Sequence, residues 1–167
     1  MATLSSLEGV ATVVSLHVAP GSRLPMRSVP SVEVETLAGI LGDRYHGSKH
    51  RQVSVQSLSS LVAAAADFDA EIPAGLTRRN ITVSSGEVPR QPGALIVVGP
   101  VLLEVVRVAA PCKLLDDTIG RGAQEVLRRR AGSICRVLAG GSVSVGDAVS
   151  FEMDAESYQR SDILTMR

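Results

Sequence analysis

Short runs of β-branched residues, each cut off within a few positions by glycine or proline, recur along this chain and limit what it can fold into. "GVATVVSLHV" (9–18) reads as a strand and stops at "APGSRLPMRSVP" (19–30), a loop holding three prolines and a glycine. "SVEVETLAG" (31–39) alternates, with Val32, Val34 and Thr36 on one face and Glu33 and Glu35 on the other. After the aperiodic "GILGDRYHGSKH" (39–50), "RQVSVQS" (51–57) alternates again with Val53 and Val55 together. "ITVSS", "ALIVVGPVLLEVVRVA" (94–109) and "GSICRVLAGGSVSVGDAVSFEM" (132–153) add further strands. Gly99-Pro100 splits the second into a hairpin, and "AGG" and "VGD" divide the third into two or three strands.

Helical pattern is scarce. "SLSSLVAAAADF" (57–68) has a serine to cap it, alanines to fill it and an apolar face at Leu58, Leu61, Val62 and Ala65. "AQEVLRRR" (123–130) reads as a second, shorter helix, with Arg121 and residues 128–130 as its solvated face. "EIPAGLTRRN" (71–80) reads as a loop. Many short strands with few helices predict a mainly β fold, a closed or partly closed β-barrel with a few short helices. The barrel is expected over 1–153 as a single domain, followed by a polar tail over 154–167.

Composition removes several functions. Lysine plus arginine number 17, aspartate plus glutamate also 17, and the isoelectric point is near 6.8. No global field draws the chain to nucleic acid or to a membrane surface, so an anion site must come from local clustering. Aromatic residues are 2% of the chain, too few for base-stacking platforms. No apolar run approaches the roughly 20 residues that cross a bilayer, and "MATLSSLEGVATVVSLHVAP" lacks the basic start of a signal peptide. Two cysteines without metal-motif spacing, Cys112 and Cys135, fit a cytoplasmic protein with reduced thiols.

Three segments carry chemistry. "GDRYHGSKHRQ" (42–52) packs Asp43, Arg44, His46, Lys49, His50 and Arg51 into one loop, with two glycines where the backbone must bend. Such a loop can aim cations and backbone N–H groups at one anion. "GLTRRNI" (75–81) offers the guanidinium forks of Arg78 and Arg79, and the mixed donor and acceptor edge of Asn80. At least two of Arg44, Arg51, Arg78 and Arg79 are expected to face phosphate. In "APCK", Pro111 cannot continue a central strand, so Cys112 is expected at a strand end or in a loop where its thiol can be reached, beside Lys113. Cys112 is thereby the candidate nucleophile or soft-metal ligand. Cys135, inside "SICRVLAG", reads as core filler.

Taken in order, "GDRYHGSKHRQVSV", "GLTRRNITV", "VLLEVVRVAAPCKLL" and "RAGSICRVLAGGSVSVGD" resemble the MOSC domain, named for the C-terminal domain of molybdenum cofactor sulfurases. The family's signature cysteine corresponds to Cys112, its Gly-Asp to Gly42 and Asp43, its Arg-Asn to Arg79 and Asn80, and its later Gly-Asp turn to Gly146 and Asp147. A common family pattern puts histidine directly after Gly-Asp-Arg; here Tyr45 stands there and His46 follows.

The resemblance implies a β-barrel of the pyruvate-kinase small-domain type and a role in handling sulfur or binding the molybdenum cofactor. Asp43, Arg44, His46, His50, Arg51, Arg78, Arg79 and Asn80 would hold the cofactor, with Cys112 as metal ligand or persulfide carrier. It implies a partner that supplies sulfur, a pyridoxal-phosphate-dependent cysteine desulfurase, or one that supplies electrons. At 167 residues the chain has no room for the desulfurase domain of fused relatives, so pyridoxal phosphate is not expected in it. Three functions follow: cofactor binding or sulfur carriage; a molybdenum-dependent reductase of N-hydroxylated compounds; and a non-catalytic anion-binding barrel.

Overall fold

A computed structural model gives the fold; it describes residues 11–152 and Glu156. The tail expected over 154–167 and the first residues of the expected opening strand otherwise lie outside the described residues. Eleven strands alternate with short helical pieces: β1 (Ala11–Val18), β2 (Arg27–Val29), β3 (Ser31–Glu35), β4 (Gly39–Ile40), β5 (Val53–Ser57), β6 (Ile81–Val83), β7 (Leu95–Val98), β8 (Val101–Val108), β9 (Ser133–Ala139), β10 (Gly141–Ser144) and β11 (Ala148–Glu152). The helices are α1 (Leu58–Phe68), α2 (Leu114–Thr118) and α3 (Ala123–Val126), with a 3-10 turn at Ala74–Leu76.

The strands run β11-β7-β8-β9-β5-β6-β1, and β1 pairs back to β11, closing a barrel. Closure leaves no unpaired edge in that ring. Strand β2 pairs outside it with β1, and β10-β3-β4 form a small second sheet. The barrel's pairs are antiparallel except β5 with β6, which run parallel with Val55 opposite Ile81. A parallel pair needs a crossover, and α1 with the 3-10 turn supplies it.

Alternation explains the barrel wall. In β8, Val101, Leu103 and Val105 are buried while Leu102, Glu104 and Val106 are partly exposed. Glu104 lies opposite Arg136 of β9 and pairs with it. Inward residues such as Val13, Val53, Ile81, Ile96, Val98 and Val137 fill the interior with small branched side chains, each contributing on the order of 1.5–3 kcal/mol by leaving water. A second core, containing Leu61, Ala64, Ile72, Leu115, Ala123 and Leu127, lies under the helices.

Several sequence expectations shift. Strands β2 and β4 are short pieces inside segments read as loops. The buried stripe of α1 is Leu61-Ala64 with Ala65 and Phe68 packed beside it, while Leu58 and Val62 are exposed. At about 100° per residue, Leu58 and Val62 turn roughly a sixth to a quarter of a circle off that stripe. Helix α3 ends at Val126, and Arg130 is tied back to α1 by Asp67 at 2.6 Å instead of lying on a free helix face. Helix α2, directly after Cys112, has no counterpart in the sequence reading. Strand β5 is buried on both faces; its Val53 and Val55 join the barrel core as expected, and Ser54 and Gln56 are buried as well.

Candidate functional site

Those buried polar residues of β5 support the site. Asn80, at the end of the crossover, accepts from Ser54 N–H at 3.0 Å and Ser54 Oγ–H at 3.1 Å. Its own N–H donates to Ser54 Oγ at 2.9 Å, and its Nδ2 donates to His17 O at 3.1 Å and Asp43 Oδ1 at 3.2 Å. The Asn80 amide is therefore saturated inside the protein. Asp43 is buried and also accepts from Ala19 N–H at 2.8 Å and Tyr45 N–H at 3.1 Å. Beside this clamp, Gln56 donates to Thr82 Oγ1 at 2.9 Å and accepts from Thr77 Oγ1–H at 2.7 Å, fixing the crossover to the sheet.

The loop after β4 is a string of turns, not a slack chain. Gly42 and Gly47 take φ of 86° and 89°, as the bends require. Arg44 N–H donates to Ala19 O at 2.9 Å, and Gln52 Nε2 reaches back to Leu37 O and Ser48 O at 2.9 and 2.8 Å. Gln52 Oε1 accepts from Val137 N–H at 2.9 Å, so the loop is pinned to β9.

Cys112 is held from both sides. Strand β8 ends at Val108 and Ala109 is buried; Leu115 of α2 is buried in the second core. Between them Pro111 O accepts from Gln124 Nε2 at 3.4 Å and Cys112 O accepts from Leu115 N–H at 3.0 Å. The thiol stays exposed because the residues flanking this turn are the ones that bury.

Asp43, Arg44, Arg51, Arg78, Arg79, Asn80 and Cys112 together line a cleft of about 400 Å³. His46 and His50 do not line it: His46 Nε2 lies 3.3 Å from Glu35, and His50 offers its carbonyl to Arg107 at 3.1 Å. The cleft's cations are Arg23, Arg44, Arg51, Arg78, Arg79 and Lys113; its one carboxylate is Asp43. None of these cations forms an ion pair among the described residues. In a chain of zero formal charge, six cations against one carboxylate make this cleft locally positive.

Arg79 is the deepest of them. It is buried, and its guanidinium donates to carbonyls, to Ala131 O at 2.9 Å and more weakly to Ala110 O at 3.4 Å. Burial first, then the charge of Arg51, lowers its pKa to about 10, while Cys112 and Tyr45 act in the opposite direction. Arg79 therefore remains a cation at neutral pH without a carboxylate partner. Arg51 keeps its Nε–H buried and without a hydrogen-bond partner. Arg78, at φ 67°, donates to Leu24 O and anchors the 19–26 segment over the cleft. The arrangement can seat an anion against guanidinium forks and present a thiol to it.

Sequence reading missed Tyr45, Gln52, Ser54, Gln56 and Thr77 here. Tyr45 carried one signal, an aromatic ring among arginines in a chain with only two tyrosines. Alternation puts Val53 and Val55 on one face of β5 and is silent on what covers Ser54 and Gln56, because the crossover over them is set by topology.

Cys135 differs from Cys112 in exposure. It is fully buried in the barrel core, and burial raises its thiol to about 12. A thiol-reactive dye is expected to label one thiol quickly in native protein and the second only after denaturant is added. Two fast thiols would contradict the assigned burial.

A larger cavity, about 980 Å³, lies away from Cys112, between α1 and the 128–130 turn. Among the described residues no cluster of three or more His, Cys, Asp or Glu could hold a metal ion, and no helix is long and apolar enough to cross a membrane.

Comparison with known proteins bears on this barrel. A search of curated proteins finds no match. Among solved structures, the YuaD protein from Bacillus subtilis superimposes with a TM-score of 0.77 at 17% identity, covering 86% of this chain and 96% of that one. YiiM from Geobacillus stearothermophilus gives 0.68 at 18% identity, covering 84% and 74%, and YiiM from Escherichia coli gives 0.59 at 16%, covering 84% and 67%. At these identities the likeness is one of fold. The family model described as the MOSC domain matches residues 42–150, a span holding the cationic loop, the crossover arginines and Cys112. With most of its length inside that match, the chain belongs to the MOSC domain family.

Proposed function

We propose that this MOSC protein binds the molybdenum cofactor in the Cys112 cleft and uses the Cys112 sulfur as metal ligand or sulfur carrier. One observation carries the reading: cations without ion-pair partners among the described residues converge with an exposed thiol in a single cleft. The MOSC domain is associated with molybdenum cofactor biology, and the donor set fits that group. Arg44, Arg51 and Arg79 supply forks for a phosphate. Cys112 is a soft ligand suited to a soft metal.

When bound, the cofactor would supply a dithiolene-held molybdenum centre; this chain's residues bind, orient and shield it. Asp43 and Asn80, with their polar atoms engaged inside the protein, position the two loops instead of touching the ligand. As a carrier, the Cys112 thiolate attacks the terminal sulfur of a donor persulfide. The donor's S–S bond breaks as a new S–S bond forms on Cys112, and the donor leaves as a thiolate, so no external oxidant or reductant is consumed. A cysteine desulfurase is the class of partner that supplies such a persulfide.

Protein purified from a host that makes the cofactor is expected to contain molybdenum by elemental analysis or an added sulfur atom by intact mass. Cys112→Ser should lose the added sulfur, or release the molybdenum at least tenfold more readily, with an unchanged melting temperature. Neither element in the wild-type protein would end this reading.

A further inference from the structure

The residue that departs from the family pattern, Tyr45, sits at the centre of the cationic cluster. The Cζ atoms of Arg44 and Arg51 lie 4.6 and 4.2 Å from its ring centroid. Both distances are within cation–π range. The Tyr45 backbone is fixed by its N–H to Asp43 Oδ2 at 3.1 Å, and Ser48 N–H donates to its carbonyl at 3.0 Å. These contacts fix where the ring is attached, between the two guanidiniums that stack on it. Neither guanidinium has a carboxylate partner among the described residues, and the Arg51 Nε–H is buried without an acceptor. Two cations brought to one ring repel each other, and Arg79 adds a third nearby. Such a cluster is suited to a ligand that carries more than one negative charge.

We infer that Tyr45 is a positioning residue whose ring holds Arg44 and Arg51 as one seat for a tetrahedral dianion, the charge and shape of a phosphate monoester. This rests on the anion-cleft reading above and adds to it the residue that orders the two arginines. The ring acts through its π face, so the hydroxyl is dispensable. A leucine fills similar space but offers the guanidiniums no π face.

Inorganic sulfate is a suitable probe, because it keeps its shape and double charge across the pH range used. Calorimetric titration at low salt should show sulfate binding to the wild-type protein and its loss in Arg51→Gln, which places the binding in the cleft. Tyr45→Phe should retain wild-type affinity. Tyr45→Leu should bind about tenfold or more weakly, a cation–π-sized effect, with its unliganded melting temperature within a few degrees of wild type. Tyr45→Met, a second side chain without a π face, should show the same loss and serves as the test if the leucine variant does not fold. Wild-type affinity in whichever of the two variants folds overturns the role of Tyr45 and leaves the cleft reading intact. No sulfate binding by the wild-type protein, or binding unchanged in Arg51→Gln, overturns the anion cleft and Tyr45 with it.

Discussion

Asp43→Ala is expected to cost about 3 kcal/mol, because it strands the buried Ala19 N–H and one buried Asn80 Nδ2 hydrogen, and with them the partly buried Tyr45 N–H. In a domain of this size that is roughly a 10 °C fall in melting temperature. The loss has a functional side. Asp43 is the point where the 19–26 segment, the cationic loop and the crossover meet, so its removal frees all three walls of the cleft at once. Asp43→Asn should cost less, since an amide oxygen can still accept from one or two of these donors. Its NH₂ would then oppose the remaining N–H. Equal stability of all three proteins in urea denaturation would show that the clamp is not structural.

The second large effect is expected at Gly132. A Cβ there would lie 1.8 Å from Val55 O, in a residue whose φ is 81°. No rotamer relieves that overlap; the backbone of β5 or of the 131–133 segment must move. Gly132→Ala should cost about 3 kcal/mol or more. The neighbouring Ala131 carbonyl accepts from Arg79 Nε, so the shift also removes the support of the deepest cation in the cleft. The variant should therefore lose both melting temperature and anion affinity. A stable variant with intact binding would mean that this close approach is not present in solution.

These two positions show how differently the chain discloses its parts. The hairpin of β7 and β8 was legible because Gly99-Pro100 interrupts a long apolar run, and β9 to β11 because "AGG" and "VGD" do the same. Alternation marked Val32 and Val34 for burial and Glu33 and Glu35 for water. The same rule failed in β5, where Ser54 and Gln56 alternate with valine yet are buried. Alternation reports a solvent face only when one side of the strand meets solvent, and here a parallel crossover covers it. Helix α2 escaped notice because five residues make too short a pattern; burial of Leu115 holds it in place.

For the site, local chemistry identified the participants and tertiary structure sorted them. Charge density singled out the 42–52 loop, and Pro111 singled out Cys112. Nothing local separates Arg51, which enters the cleft, from His50, which does not. Nor does it separate Asn80, saturated by Ser54, His17 and Asp43, from an asparagine free to meet a ligand.

The sequence by itself determined the mainly β fold, through turn residues that end most of its strands, and it put Cys112 in the turn that follows one of them. Only the tertiary structure decided which cations share a cleft with that thiol. Their convergence depends on contacts between residues far apart in the chain, Ala19 with Asp43, Asp43 with Asn80 and Ala131 with Arg79, and periodicity carries no information about such distances.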